Sequence, residues 1–158
     1  TTWIKKQSDI FLKTPEEILL RKRKNKEWLL QKDLFERIYP AELTTVFGFE
    51  AAAMKPLLKN LVKNFFQGKV THHWAATIDH EVGFISYDLF TEQSYVNIWL
   101  AVPEVLEPQF IQRLIPAVQA HIDNEIRVNY PEKECSSSFL AIGMQELNTL
   151  QWMRVDLN

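Results

Sequence analysis

Residues 70–102 read VTHHWAATI-DHE-VGFISYDLF-TEQS-YVNIWLAV, and the pattern of this stretch predicts the central strands of the fold. Three runs within it, 70–78, 82–90 and 95–102, are rich in the β-branched and aromatic side chains that strands favour. The breaks between the runs, DHE and TEQS, are short and polar, which is typical of turns between antiparallel neighbours. The sequence therefore predicts an antiparallel meander of three strands.

Helical patterns precede the meander. Thr14–Glu17 combines a capping threonine, a proline suited to the first helical position and a glutamate that completes a capping box, so a helix is predicted from there to about Ile38. Its basic run, 21–26, contains no apolar residue, and this turn and a half either stands in water or breaks the helix in two. A second helix is predicted over 49–66, because apolar side chains recur there at spacings of three and four.

Further elements follow the meander. Pro108 opens a predicted helix that ends near Ile122. Two short apolar runs, 139–142 and 150–157, are interpreted as strands, and 145–149 as a turn or a helical turn. The third strand of the meander and the helix after it are compatible with one parallel crossover.

The order of these elements indicates a single α+β domain (mixed α/β) over residues 1–158, mainly helical in 1–69 and sheet plus helix in 70–158. We expect N-terminal helices, the three-stranded antiparallel meander, a crossover helix and two C-terminal strands. With 158 residues, 46% of them apolar and 24% charged, the chain has the composition of an ordinary globular domain.

Cysteine usage and hydropathy bear on location. Cys135 is the only cysteine, so no intrachain disulfide forms; this pattern is typical of a reducing compartment and predicts a cytoplasmic protein. No apolar run reaches the roughly 18 to 20 residues of a membrane span, so no membrane partner is expected.

Charge divides the chain into two unlike halves. Residues 1–69 hold 14 Lys and Arg against 8 Asp and Glu, whereas residues 70–158 hold 4 against 12. A basic half can present a face to an anionic partner. No nucleic-acid motif accompanies it, so nucleic acid is not expected. The candidate surface for an acidic protein partner consists of Arg21, Lys22, Arg23, Lys24 and Lys26.

The stretch Trp74–Tyr87, WAATIDHEVGFISY, resembles the second and third strands of the GNAT acyltransferase superfamily, where a strand, a short turn and a Val-Gly-aromatic strand recur. Residues 95–102 and the helix from Pro108 then resemble that family's fourth strand and its cofactor-cradling helix. The resemblance covers about residues 70–123. It implies an acyl-CoA-dependent N-acyltransferase that moves an acetyl or other acyl group to an amine of a small molecule or a peptide.

The resemblance also implies site residues. Acetyl-CoA or another acyl-CoA would be bound by the end of the fourth strand and by one cation on the next helix, namely Leu100, Ala101, Val102 and Arg113. Catalytic proton transfer would fall to Glu81 or Glu104 as the base, with His80 as a further candidate, and to Tyr130 as the acid.

One segment departs from the family pattern. The family has a glycine-rich loop before the helix, where backbone N–H groups approach the pyrophosphate of the cofactor. The matching segment here, 104–111, has no glycine, two glutamates and Pro108, which has no N–H. Two hypotheses therefore stay open: a diverged acyltransferase, or a non-catalytic GNAT-like interaction module that binds a protein partner through its basic helical face.

No metal or thiol chemistry is expected. His72 and His73 are neighbours on a predicted strand, so their side chains point to opposite faces and cannot chelate one ion together. Cys135 follows Glu132 and Glu134, and this acidic neighbourhood disfavours the thiolate that a nucleophile needs.

Overall fold

The computed structural model describes residues 1–5, 18–40, 44, 51–57, 66, 68–90, 93–131 and 135–149. Within these ranges the chain forms one mixed sheet of seven strands and three α-helices, so the α+β class is confirmed. None of the helices described is long and apolar enough to cross a membrane. The elements are β1 Thr2–Lys5, β2 Arg21–Lys22, α1 Trp28–Ile38, β3 Lys69–Ile78, β4 Glu81–Phe90, β5 Tyr95–Ala101, α2 Glu107–Gln119, β6 Glu125–Asn129, α3 Ser136–Ala141 and β7 Gln145–Asn148.

The strand order across the sheet is β2-β3-β4-β5-β6-β1-β7. The predicted meander is confirmed as β3, β4 and β5, which are antiparallel neighbours. The pair β5 and β6 is parallel, and α2 connects these two strands as a crossover. The other paired strands are antiparallel.

A tight turn sets the register of the meander. β3 and β4 pair without interruption from Lys69 opposite Phe90 to Ile78 opposite Glu81. The two residues between the strands, Asp79 and His80, have φ angles of 48° and 70°. Positive φ at both central positions is what a two-residue type I′ hairpin needs, and Asp and His tolerate it better than most residues.

Helices cover both faces of the sheet. On the first face, the amide nitrogen of Gln31 in α1 donates to the hydroxyl of Ser86 in β4 over 2.6 Å. On the second face, α2 packs so closely on β4 that a Cβ on Gly83 would meet the ring of Phe110. α3 lies on the second face too, where Phe139 stacks on Trp3 of β1 at 5.0 Å. Apolar side chains are therefore buried on both faces of the sheet, under α1 on the first face and under α2 and α3 on the second.

The basic run breaks the first predicted helix, so a helix continuous from 14 to 38 is wrong over 18–27. Arg21 and Lys22 form β2 on the edge of β3, and α1 begins at Trp28 after a 3₁₀ turn. The cause is local: the guanidinium of Arg21 binds both carboxylate oxygens of Glu27, at 2.7 and 2.8 Å. The predicted start at Thr14 lies outside the described residues.

The predicted helix over 49–66 is wrong at 55–57, where the chain is not helical; 51–54 form a 3₁₀ turn. Pro56 has no N–H for an α-helical hydrogen bond, which explains the break. Leu57 is 42% exposed and Phe66 82% exposed, so neither belongs to a buried stripe. The remainder of the range lies mostly outside the described residues.

The C-terminal elements also differ from prediction. Residues 139–141 belong to α3, not to a strand, because Phe139 packs its ring on neighbours while Gly143, at φ 74°, ends the helix. A short apolar run does not separate helix from strand. The predicted turn at 145–149 is strand β7, and the predicted strand at 150–157 lies outside the described residues.

Candidate functional site

The parallel ladder between β5 and β6 stops short of the end of β5. Paired residues run from Tyr95 opposite Glu125 to Ile98 opposite Val128. β5 continues through Leu100 beside β4, but beyond Ile98 it has no β6 partner. This is the place where the resemblance implies a cofactor cleft.

The chain's own Tyr39 occupies this place. The backbone N–H of Leu100 donates to the phenolic oxygen of Tyr39 over 3.4 Å. Tyr39 is 2% exposed, and its ring lies 4.5 Å from that of Phe35, 5.6 Å from Trp99 and 5.9 Å from Tyr130. Burial raises the pKa of the Tyr39 phenol far above its ordinary value, so the hydroxyl stays protonated. We call Phe35, Tyr39, Trp99 and Tyr130 the aromatic plug.

A carboxylate closes the plug from the second face. Glu107, the first residue of α2, is buried, and the hydroxyl of Tyr130 donates to it. Burial, followed by the neighbouring Tyr39 phenol and the hydrogen bond to Glu107, raises the pKa of Tyr130. A negative group at a helix N-terminus is electrostatically favourable. The start of α2, where the resemblance implies a bound pyrophosphate, thus carries an acidic side chain of the protein itself.

The predicted site residues lie in two separate places. Those at the plug are buried: Leu100 and Tyr130 both contact Tyr39, and Ala101 and Val102 follow Leu100. By contrast, the predicted bases Glu81, His80 and Glu104 are exposed at the end of the sheet. Arg113 is half-buried on α2. The acid and the candidate bases are therefore not neighbours in the described contacts.

Sequence reasoning missed two residues of this place. Tyr39 lies just beyond the predicted helix end near Ile38, where the sequence indicates no site role for it. In the sequence, Glu107 is only one of the two glutamates in the segment that departs from the family pattern. A long-range contact between a helix end and a strand has no local sequence signal.

A second polar cluster crosses the first face of the sheet. Arg23 donates to the amide oxygen of Gln31 at 2.7 Å and to the carbonyl of Met54 at 2.8 Å. Because a guanidinium only donates, the amide nitrogen of Gln31 must face Ser86, whose hydroxyl also shares a hydrogen bond of 2.7 Å with Nδ1 of His73. Burial, with Arg23, His72 and Lys69 adding repulsion, lowers the pKa of His73 to about 3. His73 is therefore neutral at neutral pH.

His73 should make the fold acid-sensitive. Its folded pKa is about 3 against an ordinary 6.5, so the unfolded chain binds the extra proton as the pH falls below about 6.5. The stability contribution is complete above that pH and is lost toward pH 3, by at most about 1.4 kcal/mol per pH unit. In urea denaturation between pH 7 and pH 4, His73→Asn, which keeps an acceptor for Ser86 but does not titrate, should flatten this slope. His80→Asn, at the exposed turn, is the control for replacing a histidine with asparagine. If the free energy of unfolding changes equally with pH in both variants, His73 is not the cause of the acid sensitivity.

The predicted basic surface divides into three parts. Arg21 and Arg23 are used internally, by Glu27 and by Gln31 with Met54. Lys22 lies opposite Trp74, on the face of the sheet away from α1, since neighbouring residues of a strand point to opposite sides. Lys24 and Lys26 remain exposed beside the start of α1.

The described residues contain no cluster of three or more His, Cys, Asp or Glu side chains that could hold a metal ion. His72 stacks on Tyr87 at 5.0 Å while His73 binds Ser86, so the expected opposite orientation of the two histidines is confirmed. No protein-family model matches the chain, and neither does any curated protein.

Proposed function

We propose that this chain is a GNAT-like interaction module without acyl transfer, and that it binds an acidic protein segment through the face beside α1. The observation that carries the proposal is the aromatic plug. Leu100, one of the residues that the resemblance assigns to the cofactor, donates its N–H to Tyr39, and Glu107 at the start of α2 accepts from Tyr130. A bound thioester would have to displace a buried ring and face a buried carboxylate.

The architecture supports the GNAT-like part of the proposal. The meander β3-β4-β5 and the helix α2 follow one another as the resemblance implies, and β6, which was not predicted, then pairs parallel to β5. Among the described residues before the meander are the helix α1 and two 3₁₀ turns, at 25–27 and 51–54. This likeness concerns the order of elements and does not by itself carry an activity.

Charge supports the interaction part. Lys24 and Lys26 are exposed at the turn into α1, and the next two outward side chains are Leu29, 59% exposed, and Leu30, 45% exposed. Exposed leucines beside lysines form a surface that an acidic segment with its own apolar side chains can cover. We call Lys24, Lys26, Leu29 and Leu30 the basic–apolar patch.

One observation favours a second candidate, the diverged N-acyltransferase. The ladder ends at Ile98, so β5 beyond it carries backbone groups that β6 does not use. If Tyr39 left this place, a backbone N–H at Ala101 or Val102 would polarise an acyl carbonyl, as the resemblance implies, and Tyr130 would protonate the leaving thiolate. An amine acceptor would then have to reach Glu81 or Glu104 through solvent.

Titration calorimetry separates the two candidates. We expect no binding heat from millimolar acetyl-CoA, and salt-sensitive binding of a synthetic polyglutamate peptide, because surface charge attraction is screened by salt. Lys24→Gln with Lys26→Gln should weaken the peptide at least about tenfold at low salt. The matched control is Lys32→Gln with Arg37→Gln, which removes equal charge from positions further along α1, where each cation is already paired with an acid. Saturable acetyl-CoA binding would overturn the interaction-only proposal in favour of the enzyme.

A further inference from the structure

We infer that the partner of the basic–apolar patch is a second copy of this chain, docked through its acidic end; the inference rests on the proposed function. The acidic end consists of Asp79, Glu81, Glu104 and Val105. Contact between these two unlike surfaces is head to tail. The basic–apolar patch of one copy binds the acidic end of the next, so each copy in a pair still has one unused surface.

The basic–apolar patch is continuous along one side of α1. Asn25–Glu27 form a 3₁₀ turn that leads directly into α1. Leu29 and Leu30 follow Lys26 by three and four residues, and both are exposed at the start of α1. The side of α1 that carries Gln31, Leu34 and Phe35 is buried against the sheet. The patch therefore projects away from the core.

The acidic end is assembled from two neighbouring strands. Phe84 of β4 lies opposite Ala101 of β5, so Glu81 and Glu104 each stand three residues further toward the same end of the sheet. Asp79 belongs to the hairpin turn at that end. Val105 follows Glu104 and is 90% exposed, which gives this end an apolar side chain without a cover.

The chemistry of each surface matches the other. Each surface combines charged residues of a single sign with exposed aliphatic side chains. The charges are positive on the basic–apolar patch and negative on the acidic end. The chain as a whole has the same division, 14 basic against 8 acidic residues in 1–69 and 4 against 12 in 70–158. A second copy thus supplies the acidic, partly apolar surface that the patch requires.

An anionic membrane fits the patch less well. Asp33 and Glu36 lie on the same helix, both exposed, and an anionic lipid surface would repel them. The small area of two lysines and two leucines suits a weak protein contact, not adsorption to an extended surface.

Charge exchange between copies provides the test. Sedimentation velocity of the full chain at about 50 mM salt should show a mass that rises with protein concentration, and a monomer at about 500 mM salt. Lys24→Glu with Lys26→Glu should abolish the rise, as should Glu81→Lys with Glu104→Lys. An equimolar mixture of these two variants should restore it, because one copy then presents acid where the other presents base. The matched control, Lys32→Glu with Arg37→Glu, should associate like the unsubstituted chain.

The leucines are tested separately. Leu29→Gln with Leu30→Gln keeps good helix formers at exposed positions and should weaken self-association at least about tenfold. Leu140→Gln, on the 56% exposed leucine of α3, is the matched control and should leave it unchanged. Circular dichroism melts of each variant establish that it is folded.

The outcomes distinguish this inference from the function on which it rests. If the chain is monomeric at all concentrations while the polyglutamate peptide binds, the second copy is wrong and the interaction module stands. If neither self-association nor peptide binding occurs, both are wrong. Self-association that the charge variants leave intact, or that their mixture fails to restore, overturns the head-to-tail contact. Binding to phosphatidylserine vesicles by a chain that stays monomeric also overturns the head-to-tail contact.

Discussion

Tyr39→Ala should lower the free energy of unfolding by about 3–5 kcal/mol, the range expected for removing a large aromatic side chain from a core. Tyr39 is fully buried and touches three other rings of the aromatic plug as well as the N–H of Leu100. Alanine would leave a hole between β5 and the end of α1, with an unpartnered backbone donor at its wall. Urea denaturation of the variant and the unsubstituted chain measures the loss.

The conservative variant separates the ring from its hydroxyl. Tyr39→Phe keeps the packing and removes only the acceptor for Leu100, so we expect a loss of about 1–2 kcal/mol. A loss below about 1 kcal/mol for Tyr39→Ala would mean that the plug is not packed as described. An equal loss for both variants would assign the effect to the hydroxyl alone.

Gly83→Ala should destabilise the fold by about 1–3 kcal/mol, because a methyl group has no room there. An added Cβ would lie 2.6 Å from two ring carbons of Phe110. That ring is fully buried on α2, so it cannot swing into solvent. Either the ring or the whole of α2 must shift away from β4. Thermal or urea denaturation measures the loss.

A double substitution shows whether the ring is the cause. Phe110→Leu removes the bulk that faces Gly83, and in its presence Gly83→Ala should cost less than it does alone. If the losses of stability of Gly83→Ala and Phe110→Leu simply add in the double variant, the strain lies elsewhere on β4.

Much of the fold follows from the sequence, and the meander shows why. Alternation, β-branched residues and the Asp79-His80 turn all act within a few residues, and the structure confirms three antiparallel strands there. The break at Arg21–Lys26 was one of two predicted alternatives, and the pairing of Arg21 with Glu27 explains it.

The elements that sequence reasoning missed are short and depend on distant partners. β1 has four residues and lies between β6 and β7, where Trp3 stacks on Phe139. Four residues are too few for a period to be detected, and nothing near Thr2–Lys5 indicates that its partners lie more than a hundred residues away. For the same reason the sequence places Leu100 and Tyr130 in a candidate site but does not predict that Tyr39 joins them.

Amide hydrogen exchange at Leu100 reports whether the place beyond the β5–β6 ladder is closed, because this N–H is bonded to Tyr39 inside the aromatic plug. Leu100 should exchange slowly although it lies beyond the ladder with β6, and Tyr39→Phe should accelerate Leu100 while Ile98, within the ladder, keeps its rate. Fast exchange at Leu100 in the unsubstituted chain, or a Leu100 rate unaffected by Tyr39→Phe, would show an open cleft and contradict the account.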